Sequence, residues 1–461
     1  MIEMTSSLQF SQLRQAYRTL RLTPVEMVEQ VYQRIDARGQ DHVWTSLANR
    51  DTVRAQARAL AERIDEIEAL PLYGLSFGVK DNVHVAEVPT TCGCPGYTSM
   101  PSETAEAVRR AIAAGAIFIG KQSLDQFATG LNGTRTLDGH CLNVFDPDII
   151  PGGSSSGSGV AVGAGLVNFS LGSDTGGSGR VPAALNNIVG LRPTVGLVST
   201  RGMVLNNRMC DCMSIFALTV EDAFTVLEVI AGRDMDDPVS RVDADRIPLQ
   251  ASFPRQFRFA IPERLEFFGD MQSAACFMQA VAGLRSIGGT MTTFDFESFR
   301  EAGLLIFESA FVAERAASYG EVLRTCPQDL VPAVASILTR AETYSAVDAF
   351  QAQYRLSALR QEVANRLDGV DVVVTPTVPR PFRVSEMLAE PIVRNAEVGY
   401  YTYGVGPLDL CAVSVPCLLR DDGLPFGISL VGRAGTEAGL RALGTRFEVW
   451  TGQQPGAREL Q

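Results

Sequence analysis

The sequence predicts an α/β fold, in which helices cover a sheet, built as one interleaved domain, and three observations support this prediction. Short apolar segments typical of buried strands alternate with longer segments of helical periodicity. No internal repeat and no low-complexity linker divides the chain. The 461 residues exceed what most single cores hold, but the strand and helix patterns interleave throughout. We therefore expect one large interleaved domain rather than two consecutive ones.

The composition excludes several classes of partner. The chain is 46% hydrophobic and 20% charged, which is typical of globular proteins. Its formal net charge of −12 disfavours nucleic acid or an anionic membrane surface. No apolar run reaches the roughly 18 residues of a membrane span, and the N-terminus lacks an apolar signal core. We expect a cytoplasmic protein that acts on a small molecule.

The cysteine and histidine patterns predict neither disulfides nor a metal site. Nine cysteines, an odd number, are scattered through the chain. Their closest pairs have C-x-C spacing, which differs from the C-x-x-C of common zinc sites. The three histidines are not spaced as ligands. We expect buried, reduced thiols, no metal and no cofactor.

The N-terminal half shows helices first and then a strand–helix alternation. Thr23, Pro24 and Glu26 have the arrangement of a helix start, with a cap, a first-turn proline and a capping-box acid. A short apolar strand over residues 75–79 leads directly into Lys80. Further helices are expected at 60–70, 105–114 and 160–166, and further strands at 116–119 and 169–171.

The C-terminal half has a less regular region followed by clear elements. Four prolines interrupt the variable region between about residues 232 and 293. Beyond it we expect helices at 308–325, 332–367 and 438–450, and strands at 372–374, 411–418 and 426–430.

The strongest functional signal is a Gly/Ser-rich segment at residues 151–184, which is followed at once by apolar residues, unlike a flexible linker. It does not fit a dinucleotide fingerprint, because the glycines at 157–163 have the wrong spacing. The nearest phosphate-loop match, residues 115–121, lacks the Ser/Thr that would bind magnesium. A serine nucleophile beside backbone N–H donors is the third interpretation.

A serine nucleophile needs a base, and the histidines lie in unpromising contexts. Lys80 is the alternative, because burial at a strand end can lower the pKa of a lysine enough to make it neutral. Asp81 and Asn82 follow it and are candidates to orient it. On spacing alone, a surface lysine at the end of a strand is the simpler interpretation.

Three motifs together resemble the amidase signature family. They are FGVKDN at 77–82, PGGSSSGSG at 151–159 and GSDTGGSGRVPAA at 172–184. The resemblance implies an α/β/α sandwich around a large mixed twisted sheet. It also implies a Ser–cis-Ser–Lys triad formed by Lys80, Ser154 and the nucleophile Ser178.

The same resemblance implies the roles of the neighbouring residues. The oxyanion hole falls on the backbone N–H groups of Thr175, Gly176, Gly177 and Ser178. Ser155 either supports the serine network by hydrogen bonding or only closes a turn. Asp174 and Arg180 are expected to be structural anchors.

Other segments, including LDQFATGL at 124–131 and FVAER at 311–315, resemble allophanate hydrolase within this family. That resemblance implies a small carboxylated urea as substrate, with Arg315 binding its carboxylate. Arg315 has an alternative, a surface ion pair with Glu308 or Glu314. The sequence departs from the pattern where a substrate pocket is expected. Phe307 replaces a tyrosine, Asn132 replaces a small apolar residue, and the segment around Tyr403 lacks two asparagines.

We therefore expect an amidohydrolase that releases ammonia from allophanate or a related carboxylated amide. An amidase for other aliphatic or aromatic amides, a non-catalytic scaffold and the amidase subunit of an amidotransferase are the alternatives. The domain is expected to span 1–461 without a C-terminal accessory domain. Its parts are N-terminal helices to about 70, a catalytic core to about 230, a substrate-side region to about 370 and a closing unit. The family resemblance also implies a homodimer.

Overall fold

The computed structural model describes residues 8–457, which form an α/β structure around one mixed sheet of eleven strands. Residues 1–7, part of the segment where no signal peptide is expected, and 458–461 lie outside the description. In spatial order the sheet runs β1-β3-β2-β4-β6-β5-β10-β11-β9-β7-β8. In chain order the strands are β1 Trp44–Leu47, β2 Ser76–Lys80, β3 Ile117–Gln122, β4 Phe169–Asp174, β5 Val189–Arg192, β6 Cys212–Ala217, β7 Phe257–Pro262, β8 Gly289–Phe294, β9 Val372–Pro376, β10 Leu410–Leu419 and β11 Pro425–Arg433.

Helices cover the sheet, since successive residues of its inner strands are buried although their side chains alternate between the two faces. In chain order they are α1 Phe10–Arg18, α2 Pro24–Arg38, α3 Arg50–Ala61, α4 Glu106–Ala113, α5 Ser156–Gly163, α6 Val181–Leu185, α7 Val220–Ile230, α8 Met271–Ser286, α9 Glu297–Glu308, α10 Ala313–Tyr319, α11 Val322–Thr325, α12 Pro332–Ala341, α13 Ala346–Arg366, α14 Val384–Ala389, α15 Val393–Val398 and α16 Glu437–Thr451. The α/β prediction is confirmed.

Two neighbouring strands bring the motif residues to one edge of the sheet. Strands β2 and β4 pair in parallel, so their carboxyl ends lie side by side. Phe77 on β2 stacks on Phe169 of β4 with ring centroids 5.0 Å apart, which fixes the pair from within the core. Lys80 therefore ends one strand beside Ser173 and Asp174 at the end of the other.

Several predicted elements differ in extent from those observed. The helix expected at 60–70 ends at Ala61, and a short 3-10 turn follows. The helices expected at 308–325 and 332–367 are each divided, because turns separate α9 to α11 and α12 from α13. The variable region contains β7, α8 and β8, whose pattern the prolines obscure.

The nine cysteines all lie among the described residues. All nine are free and buried. Within residues 8–457, no helix has both the length and the apolar character needed to cross a bilayer.

The start of α2 confirms the predicted capping box and supplies a stability test. Thr23 Oγ1 accepts the Glu26 N–H at 3.2 Å, and the Glu26 carboxylate accepts the Thr23 N–H at 2.8 Å. We expect Thr23→Ala to lower the free energy of unfolding by about 1 kcal/mol. Thr23→Ser, which keeps the acceptor, should unfold as wild type does in urea titrations. An equal loss in both variants would contradict the assignment.

Candidate active site

The three residues assigned to the triad form one continuous hydrogen-bonded chain. Lys80 Nζ donates to Ser154 Oγ at 2.7 Å, and Ser154 Oγ donates to Ser178 Oγ at 2.8 Å. All three side chains are buried, with at most 2% of any residue exposed. The Gly153–Ser154 peptide bond is cis. Ser154 thus bridges a lysine and a second serine that lie 98 residues apart in sequence.

Burial lowers the pKa of Lys80 to about 7, although Asp125, Asp211 and Asp174 oppose that fall. Lys80 Nζ also donates to Ser173 Oγ at 2.7 Å, which fixes the amine on a second side. A lysine with this pKa is neutral in a large fraction of molecules near neutral pH and can then accept a proton.

Of the two residues after Lys80, one reaches the site and the other does not. Asp81 does not contact Lys80; it forms a buried ion pair with Lys121 at 3.0 Å, so the expectation that it orients Lys80 is wrong. Asn82 does reach the site, because its Nδ2 donates to Ser173 Oγ at 3.4 Å. Ser173, not Asp81, therefore holds the amine.

The turn from Asp174 to Ser178 is fixed by one carboxylate. Asp174 accepts the N–H groups of Gly177 at 2.8 Å and Gly179 at 3.0 Å. Burial alone would raise the pKa of Asp174, but the guanidinium groups of Arg180 and Arg192 hold it well below its usual range. The expected anchoring contact of Asp174 with Arg180 is thus present, and Arg192 adds a second one.

Three N–H groups of this turn are left for a ligand. The Gly177 N–H is directed at Asp174. Among the described residues, the N–H groups of Thr175, Gly176 and Ser178 donate to no acceptor. They border the hydroxyl of Ser178 and can bind a negatively charged oxygen there.

Ser155 connects the serine segment to β4. Its Oγ donates to the Ser173 carbonyl at 3.1 Å and accepts the Ser173 N–H at 3.4 Å. Both bonds cross between segments, so Ser155 does more than close its own turn. It ties the backbone beside Ser154 to β4, whose Ser173 hydroxyl accepts a hydrogen bond from the Lys80 amine.

A cavity of about 140 Å³ opens in front of Ser178. Its wall includes Thr175, Gly176 and the side chains of Phe307 and Tyr403. These two rings are packed directly over the turn: a Cβ atom on Gly176 would lie 2.7 Å from Phe307 and 2.9 Å from Tyr403. Only glycine permits this approach, because Cβ atoms in proteins essentially never lie within 3.0 Å of such an atom.

Arg315 lies in the wall of this cavity and is 1% exposed. Its Nη1 donates to the Ile306 carbonyl at 3.2 Å, whereas Nε and Nη2 bond no described residue. It forms no ion pair within residues 8–457, so the alternative of a surface pair with Glu308 or Glu314 is wrong. Glu314 interacts with Arg315 only at longer range, and a buried cation without a direct ion-pair partner is costly, which favours an anionic ligand here.

Of the remaining predicted pocket residues, Phe307 and Tyr403 line the cavity and Asn132 does not. Phe307 lies under Arg315, whose Cζ is 5.0 Å from the ring centroid. Tyr403 packs against Phe307 with centroids 4.2 Å apart. Asn132 does not line the cavity: its Nδ2 donates to Asn395 Oδ1 at 2.7 Å, and its Oδ1 accepts the Thr134 N–H at 2.8 Å. It therefore supports the wall from behind.

Sequence reasoning missed three residues of the site. Ser173 holds Lys80, and Arg135 and Asn395 line the cavity. The register of β4 beside β2 would have pointed to Ser173. No local signal distinguishes Asn395, which reaches the cavity from α15, more than 200 residues after Ser178.

Comparison with known proteins decides the family. The family model for Amidase matches residues 26–440. The chain belongs to the amidase family. It is therefore an enzyme of the hydrolase type that acts on amide C–N bonds, and the expected sandwich fold is confirmed by solved relatives.

Relatives of two kinds are similar to this amidase. Urea amidolyase of Saccharomyces cerevisiae is 39% identical over 410 residues, which are 88% of this chain but 22% of the relative. A glutamyl-tRNA(Gln) amidotransferase subunit of Exiguobacterium sp. is 32% identical and matches 94% of this chain and 95% of the relative. The structure of Kluyveromyces lactis allophanate hydrolase aligns with a TM-score of 0.89 and 36% identity over 95% of this chain and 72% of that one. The expected resemblance to allophanate hydrolase is confirmed.

The pKa of Lys80 sets an expected pH dependence. A lysine that must be neutral to accept a proton is active only above its pKa. We expect kcat/KM to rise with pH through a midpoint at about 7, where half of the Lys80 side chains are neutral. Rate profiles with a neutral amide substrate, which does not titrate itself, would measure this. A flat profile from about pH 5 to about pH 9 would contradict it.

Proposed function

We propose that this amidase hydrolyses a small carboxylated amide and releases ammonia, with Ser178 as nucleophile, Ser154 as proton relay and Lys80 as base. The observation that carries the proposal is the chain of two hydrogen bonds, 2.7 Å and 2.8 Å long, from the Lys80 amine to the Ser178 hydroxyl. A scaffold without activity has no need for a buried lysine in such a chain.

In the acylation step the proton moves along this chain. Neutral Lys80 accepts the proton of Ser154 while Ser154 accepts that of Ser178, a reversal that hydroxyl rotation permits. Ser178 Oγ then forms a bond to the amide carbon. The oxygen of that carbonyl becomes negative and is stabilised by the N–H groups of Thr175, Gly176 and Ser178. Each such donor is typically worth about 3 kcal/mol.

The second half of the reaction returns the proton and regenerates the serine. Lys80 delivers its proton through Ser154 to the amide nitrogen, the C–N bond breaks, and ammonia leaves. Water then loses a proton to the same relay and attacks the acyl-enzyme ester. The products are the free acid and Ser178 with its hydroxyl restored.

The carboxylate of the proposed substrate is assigned to Arg315. Its unbonded Nε and Nη2 can donate two parallel bonds to one carboxylate. Allophanate is one candidate because of the relatives described above. The chain spans about a fifth of the urea amidolyases it matches, so their full activity is not transferred to it.

The amidotransferase relatives supply a second candidate, since they match this chain over nearly its whole length. Such an enzyme would need an amide as nitrogen donor, and L-glutamine is one amide to test. Glutamine carries an ammonium group beside its carboxylate, and no acidic side chain accompanies Arg315 in the cavity wall apart from Glu308 at the exposed rim. Hydrolysis of an anionic amide fits this wall better. The single-domain organisation, the cytoplasmic location and the homodimer stay predictions.

The triad assignment predicts the effect of removing the nucleophile. We expect Ser178→Ala to abolish ammonia release from every amide tested while leaving the unfolding midpoint within error of wild type. Ser154→Ala should reduce kcat by at least about a hundredfold, because the relay is broken. Ser158→Ala, whose hydroxyl bonds Gln122 away from the cavity, is the control. Ammonia release by Ser178→Ala at the wild-type rate would disprove the assignment.

The role of Arg315 predicts a change confined to anionic substrates. Arg315→Met keeps an apolar stem but removes the charged donors, so KM for carboxylated amides should rise about 10- to 100-fold. Turnover of an uncharged amide should change little. Steady-state ammonia assays on both substrates separate these effects. Equal losses on both would show that Arg315 only supports the fold.

A further inference from the structure

Much of the cavity wall is hydrocarbon, which allophanate does not match. The lining includes the side chains of Leu304, Phe307, Ile337 and Ile392. Phe307 has no hydrogen-bonding group. An N–H or C=O group placed against these side chains loses water without gaining a partner, which costs free energy.

Three buried polar side chains of this wall, those of Asn395, Tyr403 and Thr129, are hydrogen-bonded to the protein. Asn395 Nδ2 donates to the Tyr403 hydroxyl at 2.8 Å, and Asn395 Oδ1 accepts the Leu131 N–H at 2.8 Å. The Tyr403 hydroxyl in turn donates to the Asn395 carbonyl at 3.2 Å. Thr129 Oγ1 donates to the Phe127 carbonyl at 3.2 Å. The other hydrogen-bonding side chains of the lining, Ser336, Glu308 and Arg340, are exposed, so the buried part of the wall offers few partners to an internal ureido group.

Two of the arginines that line the cavity, Arg135 and Arg315, are buried. Arg135 also lines the cavity, but its Nη1 and Nη2 donate to the carbonyls of Thr129 and Pro391. Asp125 lies beside it as counter-charge. Burial raises the pKa of Asp125, and the Arg135 guanidinium opposes that rise. Three backbone N–H groups donate to Asp125, which favours its carboxylate form: those of Asn132, Gly133 and Arg135. Arg340, which also lines the cavity, is exposed, whereas Arg315 is buried and forms no ion pair among the described residues.

The Phe307 ring contacts both polar ends of the cavity, the turn before Ser178 and the Arg315 guanidinium. The Phe307 ring packs against Gly176 in the oxyanion turn, and Arg315 Cζ lies 5.0 Å from the centroid of the same ring. A substrate that reaches both ends therefore passes beside this aromatic ring, and its central part contacts carbon atoms there.

We infer that the preferred substrate is an ω-amic acid, in which a hydrocarbon spacer separates the primary amide from a single carboxylate. This rests on the proposed hydrolase function and narrows its substrate class. Water adds across the amide C–N bond, so that the products are a dicarboxylate and ammonia. A reaction that forms a half-amide of a dicarboxylic acid must supply this substrate.

Allophanate and malonamate form a matched pair for the test, because they differ only in an N–H that replaces a CH₂ group. We expect kcat/KM for malonamate, or for the longer succinamate and glutaramate, to exceed that for allophanate by at least about tenfold. Propionamide, which has a spacer but no carboxylate, should be poorer than the amic acids. An equal or higher kcat/KM for allophanate than for every amic acid would overturn the inference and leave the hydrolase function intact.

Phe307→Tyr tests the wall itself, and the ratio of the two kcat/KM values cancels the intrinsic reactivity of each amide. The added hydroxyl should lower the malonamate-to-allophanate ratio by about fivefold or more, in line with the value of one hydrogen bond. Phe350→Tyr makes the same change on α13, where the ring is 58% exposed, and should leave the ratio unchanged. An unchanged ratio in Phe307→Tyr would count against the inference. Absence of ammonia from all compounds would instead overturn the proposed function and the inference with it.

Discussion

The burial of one lysine at the end of a strand is the constraint on which the site depends. Lys80 is fully buried, and its amine has two serine hydroxyls as hydrogen-bond partners. A protonated amine in this position lacks the solvation it would have in water, so the neutral base is favoured by the fold itself. Ser154 and Ser173 must then lie within hydrogen-bond reach. The parallel pairing of β2 with β4 places one of them, and the serine segment before α5 places the other.

A network of buried charges surrounds the turn that carries Ser178. Asp174 holds the turn through two backbone N–H groups and is itself held by two arginines. Because these groups are all buried and bonded to one another, the turn is held in place when charge develops on a ligand oxygen. Donors that are already oriented stabilise such charge without a further cost of reorganisation. The charged cluster thus supports the proposed chemistry without contacting substrate.

The residue patterns predicted the α/β class and the strand ending at Lys80, and the resemblance to a known family implied the association of Lys80 with Ser154 and Ser178. Those residues lie in short segments whose composition and order are distinctive. Prediction failed where a position depends on packing between distant segments. Asp81 was expected at Lys80, but the backbone turns it towards Lys121 on β3. Asn132 was expected in the pocket, yet it bonds Asn395 behind the wall. Arg315 looked as much like a surface residue as a ligand-binding one until the packing of α9 and α10 buried it.

The contact of Gly176 with Phe307 and Tyr403 has a consequence for how this enzyme can diverge. The oxyanion turn and the roof of the cavity share one van der Waals surface, so a larger residue at position 176 would displace both rings. Packing against the roof of the cavity therefore restricts position 176 to glycine as strictly as the proposed catalysis does. The side chain at position 307 can vary in polarity provided that it stays flat, whereas the hydroxyl of Tyr403 is held by Asn395. New substrate preferences in descendants of this chain should arise by exchange of aromatic residues above an unchanged catalytic turn.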